Sequence, residues 1–163
     1  MPGSWSRRDL PDLHTENCQI TSPATKAYNC IAWAAGTDKQ WWDPNGLYYW
    51  PPNVPREITI DAVVQVYETL GFTICIGGEL ESGFEKIAIF AKASGNERVP
   101  THAARQLDSG QWTSKLGPCE DVSHTEVNAL NGPCYGEVLC FMSRPKAVEP
   151  DQNQLPSDQP PFV

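Results

Sequence analysis

The sequence predicts an α+β domain in which N-terminal helices pack on a small antiparallel sheet, and two observations support this class. First, the 163 residues are 40% hydrophobic, which suits a single domain with one core. Second, segments with helix-start and helix-stop residues come early in the chain, whereas strand-like runs come later. Helices and strands that are separated along the chain favour this arrangement over alternating βαβ units.

The first predicted helix lies between Ser22 and Gly36. Ser22 suits an N-cap, Pro23 suits the first turn and Gly36 suits the position after the last turn. A shorter helix also agrees with the sequence, with Asn29 as the cap and Cys30 in the first turn. The two versions give the Cys30 thiol different environments.

An aromatic segment and a second helix follow. Residues 38–55 combine several prolines with three tryptophans and two tyrosines, which predicts an ordered loop held by its rings. Thr59 suits an N-cap, and apolar residues then recur at helical spacing until Gly71. We therefore predict a second helix between Thr59 and Gly71.

Five strands are predicted after the second helix. Residues 72–76, 86–91 and 136–142 are apolar, strand-like runs. Residues 101–107 and 111–116 predict a hairpin, because the Asp-Ser-Gly between them suits a tight turn.

A short helix is predicted before the last strand. Asp121 or Ser123 can cap it, Ser123 and Glu126 have the spacing of a capping box, and it would extend to Leu130. Around these elements we expect an irregular leader over residues 1–20, one domain over 21–144 and a disordered, proline-rich tail over 145–163.

Charge and cysteine content limit the classes of partner and ligand that we expect. Twenty acidic against twelve basic side chains give a net charge of −8, which disfavours nucleic acid and anionic membranes as partners. We expect a cytoplasmic protein, because no apolar signal core is present, with a non-classical export route left open. The six cysteines lack zinc-site spacing, so we expect free thiols and no metal or cofactor. The oligomeric state is left open.

The best candidate for chemistry is Cys30 with His102. A thiol at the start of a helix is activated by free backbone N–H groups, although Cys30 is equally consistent with a buried helical face. His102 opens a predicted strand, from which it could reach a facing helix terminus, and a structural histidine is the alternative. Asp121 is the preferred carboxylate to orient the imidazole, with Glu120 or Ser114 as the fallback, and Asp121 as a helix cap is the alternative.

The strings YNCIAWAAG, WWDP, EKIAIF, THAARQLDSGQWTSKLG and EDVSH resemble a family of small bacterial domains of uncharacterised function. The resemblance covers residues 20–144. The order of a cysteine on a helix, a histidine on a strand and a later polar residue also resembles papain-like cysteine peptidases, deamidases and acyl transferases, and implies a papain-like minimal core. The glutamine that such enzymes place shortly before the cysteine is absent, since Gln19 lies eleven residues upstream. Asn29 or backbone N–H groups would then bind the oxyanion.

Two functions follow from these residues. The first is a cysteine-dependent hydrolase or acyl transferase that attacks an amide or ester through a thioester, with a protein or peptide as the substrate class. The second is a non-catalytic module that binds a peptide or sugar on the aromatic loop 41–52. The further residues expected to contact the substrate or oxyanion are Asn29, Trp33, Trp41, Trp42, Gln106, Trp112 and Ser114.

Overall fold

An antiparallel sheet of seven strands forms the centre of the computed structural model, which describes residues 5–147. The strands are β1 (Cys18–Ser22), β2 (Thr73–Cys75), β3 (Phe84–Ser94), β4 (Glu97–Gln106), β5 (Trp112–Lys115), β6 (Asp121–His124) and β7 (Glu137–Pro145). Their order across the sheet is β1-β6-β5-β4-β3-β7-β2, and each neighbouring pair is antiparallel.

The predicted fold class is wrong, because the described part of the chain is mainly β. Its helices are α1 (Cys30–Ala34), α2 (Ile60–Glu68) and one 3₁₀ turn at Val127–Leu130. The sheet is thus the main body of the domain, and the predicted papain-like core of helices packed on a small sheet is also wrong.

Two missed strands account for most of this correction. β1 begins inside the segment predicted to be irregular and precedes α1. β6 replaces the first half of the helix predicted from Asp121 or Ser123 to Leu130, since residues 121–124 pair with both β1 and β5. Backbone pairing on two sides outweighs the local capping-box signal of Ser123 and Glu126.

The first helix is the shorter of the two predicted versions. Asn29 is its N-cap, and the Asn29 side chain accepts a hydrogen bond from Ala32 N. The longer version from Ser22 is wrong, because Ser22 ends β1. Cys30 is therefore the first residue of α1.

The second helix and the hairpin are confirmed. Thr59 caps α2 by accepting from Ala62 N. β4 and β5 pair across the predicted turn, with Gln106 opposite Trp112, and Gly110 there has φ +89°, which favours glycine. The runs predicted at 72–76, 86–91 and 136–142 are β2, β3 and β7.

The sheet has a separate hydrophobic core on each face. We call the side covered by α1 and α2 the helix face; its buried residues include Ala32, Tyr67, Ile87, Ile89, Ala103 and Met142. We call the other side the far face; its buried residues include Leu10, Leu13, Phe90, Ala104, Trp112, Val122 and Leu130. The N-terminal segment and the 3₁₀ turn thus contribute to covering the far face.

The sequence predicts an irregular leader and a disordered tail at the two ends of the chain. In the structure, Leu10 and Leu13 are buried although they lie in the predicted leader. Most of the predicted tail, from residue 148 onward, lies outside the described residues. Within residues 5–147, no helix has the length and apolar character needed to cross a bilayer.

Candidate functional site

A cavity of about 160 Å³ lies at the start of α1. We call it the thiol cavity, because Cys30 borders it together with His102. Ile58, Val63 and Pro100 supply apolar walls. The two residues singled out from the sequence therefore border one cavity.

The Cys30 thiol lies in a mixed environment. The residue is partly exposed, but its sulfur is deep enough that burial raises the pKa of the thiol. The nearby backbone N–H groups of Ala103 and Ile31 oppose that rise, as does the positive charge of Lys115. Burial is the largest effect, so the thiol is protonated at neutral pH.

The His102 ring lies on the far face. His102 pairs with Phe90 across β3 and β4, contacts the edge of the Phe90 ring, and stacks on Tyr135 with ring centroids 4.3 Å apart. Neither ring nitrogen has a hydrogen-bond partner among the described residues. Burial lowers the pKa of His102 to about 3, so the ring is neutral at neutral pH.

No hydrogen bond therefore joins Cys30 to His102 in this structure. Strand alternation explains the arrangement, since Ala103 packs on the helix face with α1, and the side chain of His102, one residue earlier, points to the opposite face. The order of elements along the chain does not contain this information. Only the register of β4 shows it.

Asp121 binds the segment that leads into Cys30. It is fully buried and accepts hydrogen bonds from the hydroxyls of Thr21 and Tyr28. It makes no hydrogen bond to His102, whose nitrogens are both unpartnered among residues 5–147. Through its bond to Tyr28, Asp121 thus positions the chain two residues before Cys30, the candidate nucleophile.

Lys115 is a buried residue that sequence reasoning missed. It is opposite Asp121 in the β5–β6 pair, and its ammonium donates to the carbonyl oxygens of Thr25 at 2.9 Å, Gly117 at 2.5 Å and Cys119 at 2.6 Å. Burial lowers the pKa of Lys115, and the Asp121 charge opposes this effect. The lysine inside the strand-like run QWTSKL was the available signal, since an inward lysine in a strand needs buried partners.

Asn29 connects α1 to the aromatic loop. Its side chain is buried, donates to the Trp42 carbonyl oxygen at 2.7 Å and accepts from the Trp42 backbone N–H at 3.1 Å. The oxyanion role proposed for Asn29 competes with these bonds, because its amide nitrogen and oxygen are both engaged.

The aromatic loop is divided between core and surface. The rings of Trp42 and Trp50 are buried in the helix-face core. Trp41 lies 6.3 Å from the ring of Tyr48, which is 54% exposed.

The remaining predicted substrate contacts lie apart from the thiol cavity. Trp33 donates to Thr113 Oγ1 at 3.0 Å, and Gln106 donates to the Gly78 carbonyl oxygen at 2.7 Å. Trp112 is buried in the far-face core.

Ser114 forms a buried pair with His124 on the far face. Ser114 Oγ lies 2.9 Å from His124 Nε2, and His124 Nδ1 lies 2.8 Å from the Glu126 carbonyl oxygen. Burial lowers the pKa of His124 to about 4.

The six cysteines are free thiols, and Cys134 is the exposed one. Within the described range, no cluster of three or more histidine, cysteine, aspartate or glutamate side chains is arranged to hold a metal ion.

Comparison with known families assigns the domain. The model of a family described as a domain of unknown function, DUF7689, matches residues 19–143. The chain belongs to this family. The match agrees with the resemblance to an uncharacterised domain family seen in the sequence. No curated protein and no solved structure matches the chain.

Proposed function

We propose that the chain is a cysteine-dependent hydrolase or acyl transferase in which the Cys30 thiol attacks an amide or ester carbonyl. The observation that carries the proposal is the position of this thiol at the thiol cavity, beside the N–H groups of Ala103 and Ile31. Such donors stabilise the oxyanion that forms when sulfur adds to a carbonyl. The residue order resembles that of papain-like enzymes and supports the same chemistry.

The reaction forms and breaks one acyl–sulfur bond. Sulfur adds to the carbonyl carbon, the intermediate expels an alcohol or amine, and a thioester remains on Cys30. Water then releases an acid and restores the thiol, whereas an amine acceptor takes the acyl group. The proton of the thiol must leave before or during the attack, because burial keeps the pKa of Cys30 above its ordinary value.

His102 is the proposed acceptor of that proton. It borders the cavity and is neutral, but its ring is turned toward Tyr135 in this structure. Transfer therefore requires the end of β4 to reorient and the imidazole to leave the buried position that lowers its pKa to about 3. That end is irregular, since Phe90 pairs with His102 whereas Ala91 pairs with Pro100, which leaves Thr101 as an extra residue. In this proposal Asp121 positions Cys30 by holding the segment that precedes it.

The cavity favours a small apolar acyl group. Its walls at Ile58, Val63 and Pro100 are apolar, and a volume of about 160 Å³ accommodates a chain of a few carbons. A peptide substrate would therefore present a small apolar side chain to it.

Acylation by p-nitrophenyl butyrate tests the proposal. The experiment uses a Cys134→Ser background, because Cys134 is the exposed thiol that would react nonspecifically. We expect a burst of nitrophenolate and one butyryl group on the peptide that contains Cys30, and both disappear in Cys30→Ser. His102→Gln should slow acylation by about a hundredfold, the typical contribution of a general base.

Each outcome decides a separate part of the proposal. A burst that survives Cys30→Ser, or butyryl groups on other residues alone, overturns the nucleophile. An unchanged rate in His102→Gln overturns the proton acceptor and leaves the thiol chemistry standing. Cys18→Ser is the matched control and should keep the burst.

A second candidate function is peptide or sugar binding on the outer side of loop 41–52. The exposure of Leu47, Tyr48 and Tyr49 favours it, although Trp42 and Trp50 face the core. Backbone amide shifts at Leu47 to Tyr49 on addition of trialanine or maltose would support it, and their absence would contradict it.

A further inference from the structure

A second cavity, of about 270 Å³, lies at the opposite end of α1 from Cys30. We call it the arginine cavity, because Arg105 and Arg144 both line it. Ala35 and Gly36 at the end of α1 border it, and Leu80 and Leu107 add apolar surface. It shares no lining residue with the thiol cavity.

The charges around the arginine cavity do not cancel. Arg144 Nε lies 2.6 Å from Glu85 Oε2, and Lys146 Nζ lies 2.8 Å from Asp108 Oδ1. These two pairs account for both carboxylates that line the cavity. Among the lining residues Arg105 is the cation without an ion-pair partner, and the charges of Glu85 and Asp121 act on it only from beyond ion-pair distance.

Arg105 itself has unused donors. Its guanidinium stacks over Trp33, with Cζ 4.7 Å from the ring centroid. Its Nε is buried without a hydrogen-bond partner, and across residues 5–147 the side chain has no hydrogen bond or ion pair. A buried donor without a partner is costly, and stacking on a ring leaves the edge of the guanidinium free to bind.

We propose that the arginine cavity binds a small organic carboxylate through Arg105. A carboxylate presents two oxygens that match two donors of a guanidinium, which a single neutral acceptor does not. The apolar surface of Ala35, Leu80 and Leu107 favours an anion with an apolar body over a bare inorganic ion. This site does not depend on the chemistry proposed for Cys30.

Titration with benzoate, followed by backbone amide shifts in the full chain, tests the site. We expect saturable shifts at Ala35, Gly36 and Leu107, and no such shifts with benzamide, which has the same shape without the charge. Arg105→Gln should weaken benzoate binding by at least about tenfold, the factor expected when a charge-assisted bond is lost. Arg105→Lys keeps the charge without the fork and should give an intermediate affinity.

Two further variants keep the test decisive if Arg105→Gln is unstable. Ala35→Leu fills the cavity while leaving Arg105 in place, and it should abolish the shifts. Arg98→Gln removes a surface cation that pairs with Glu137 and should leave the affinity unchanged. Equal binding of benzamide, tighter binding of inorganic phosphate, or full benzoate affinity in Ala35→Leu would each overturn the proposal.

Discussion

The two faces of the sheet bury different polar groups. The helix face buries Lys115 and Asp121, which are charged and have several hydrogen-bond partners between them. The far face buries two neutral histidines, His102 and His124, and the ring of His102 has no hydrogen-bond partner there among the described residues. Lys115 and Asp121 hold the chain that leads to Cys30, whereas the side chain of His102 makes ring contacts and no hydrogen bond with the described residues.

Strand alternation produces this difference and divides the proposed catalytic pair. Ala103 and Arg105 face α1, and Ala104 faces away with His102. Cys30 thus meets the backbone of β4 rather than the imidazole. The comparison implies that the two faces respond to different perturbations: the helix face to loss of a charge, and the far face to gain of one.

Loss of the buried ammonium should have the largest effect. Lys115→Met keeps the length of the side chain but removes the donor to three carbonyl oxygens and leaves Asp121 without its neighbouring cation. We expect the free energy of unfolding to fall by about 3–5 kcal/mol, as when one member of a buried charge pair is removed. Urea unfolding measures it.

The matched control for this prediction is Lys39→Met, because the Lys39 side chain is 85% exposed. It should change stability by less than about 1 kcal/mol. A loss below that value in Lys115→Met would show that the Lys115 ammonium and the Asp121 carboxylate do not stabilise the fold. The proposed difference between the two faces would then be wrong.

Acidification should destabilise the far face, with a smaller effect for each histidine than for loss of the Lys115 ammonium. Burial lowers the pKa of His102 to about 3 and that of His124 to about 4, against an ordinary value of 6.5. The unfolded chain therefore binds more protons below pH 6.5, so stability is full above this pH and falls as the pH approaches the folded values. Each histidine should contribute a loss of about 2 kcal/mol between pH 7 and pH 5.

His102→Phe isolates one of these two contributions. The variant keeps a ring between Phe90 and Tyr135 but removes the titrating group, so its loss between pH 7 and pH 5 should be smaller by about 2 kcal/mol. His14→Gln changes an exposed histidine and serves as the control variant. If His102→Phe kept the full loss between pH 7 and pH 5, His102 would be solvated, and the far-face description would be wrong.

Sequence reasoning identified elements with strong local signals. Thr59 and Asn29 cap their helices because their side-chain oxygens reach nearby N–H groups, and Gly110 closes its turn because of its positive φ. These effects involve residues a few positions apart. They predict the start of α2, the shorter of the two versions of α1 and the position of the β4–β5 turn, whereas β4 begins at Glu97, four residues before the predicted strand.

The rest depended on contacts between distant residues. The strand at Asp121–His124 exists because β1 and β5 flank it, and β1 lies about a hundred positions earlier, too far for a local pattern to indicate. The face on which His102 lies depends on the register of β4. The site prediction therefore placed two residues at one cavity without predicting that they face apart.

Loss of the side chain of Asn29 should have the smallest of these effects, and it tests how the helix face positions Cys30. Asn29→Ala removes the N-cap of α1 and both bonds to Trp42, so we expect a loss of about 1–2 kcal/mol in urea unfolding, the usual range for a cap. Asn29→Ser keeps an accepting side-chain oxygen at the N-cap without adding a charge, so it should lose less. Asn45→Ala, at an exposed loop position, is the control. Because the backbone N–H groups of Ala32 and Trp42 both donate to Asn29 Oδ1, their hydrogen exchange should accelerate in Asn29→Ala. Exchange at Val122 on the far face should stay unchanged. Equal acceleration at Val122 would show that the two cores open as one unit.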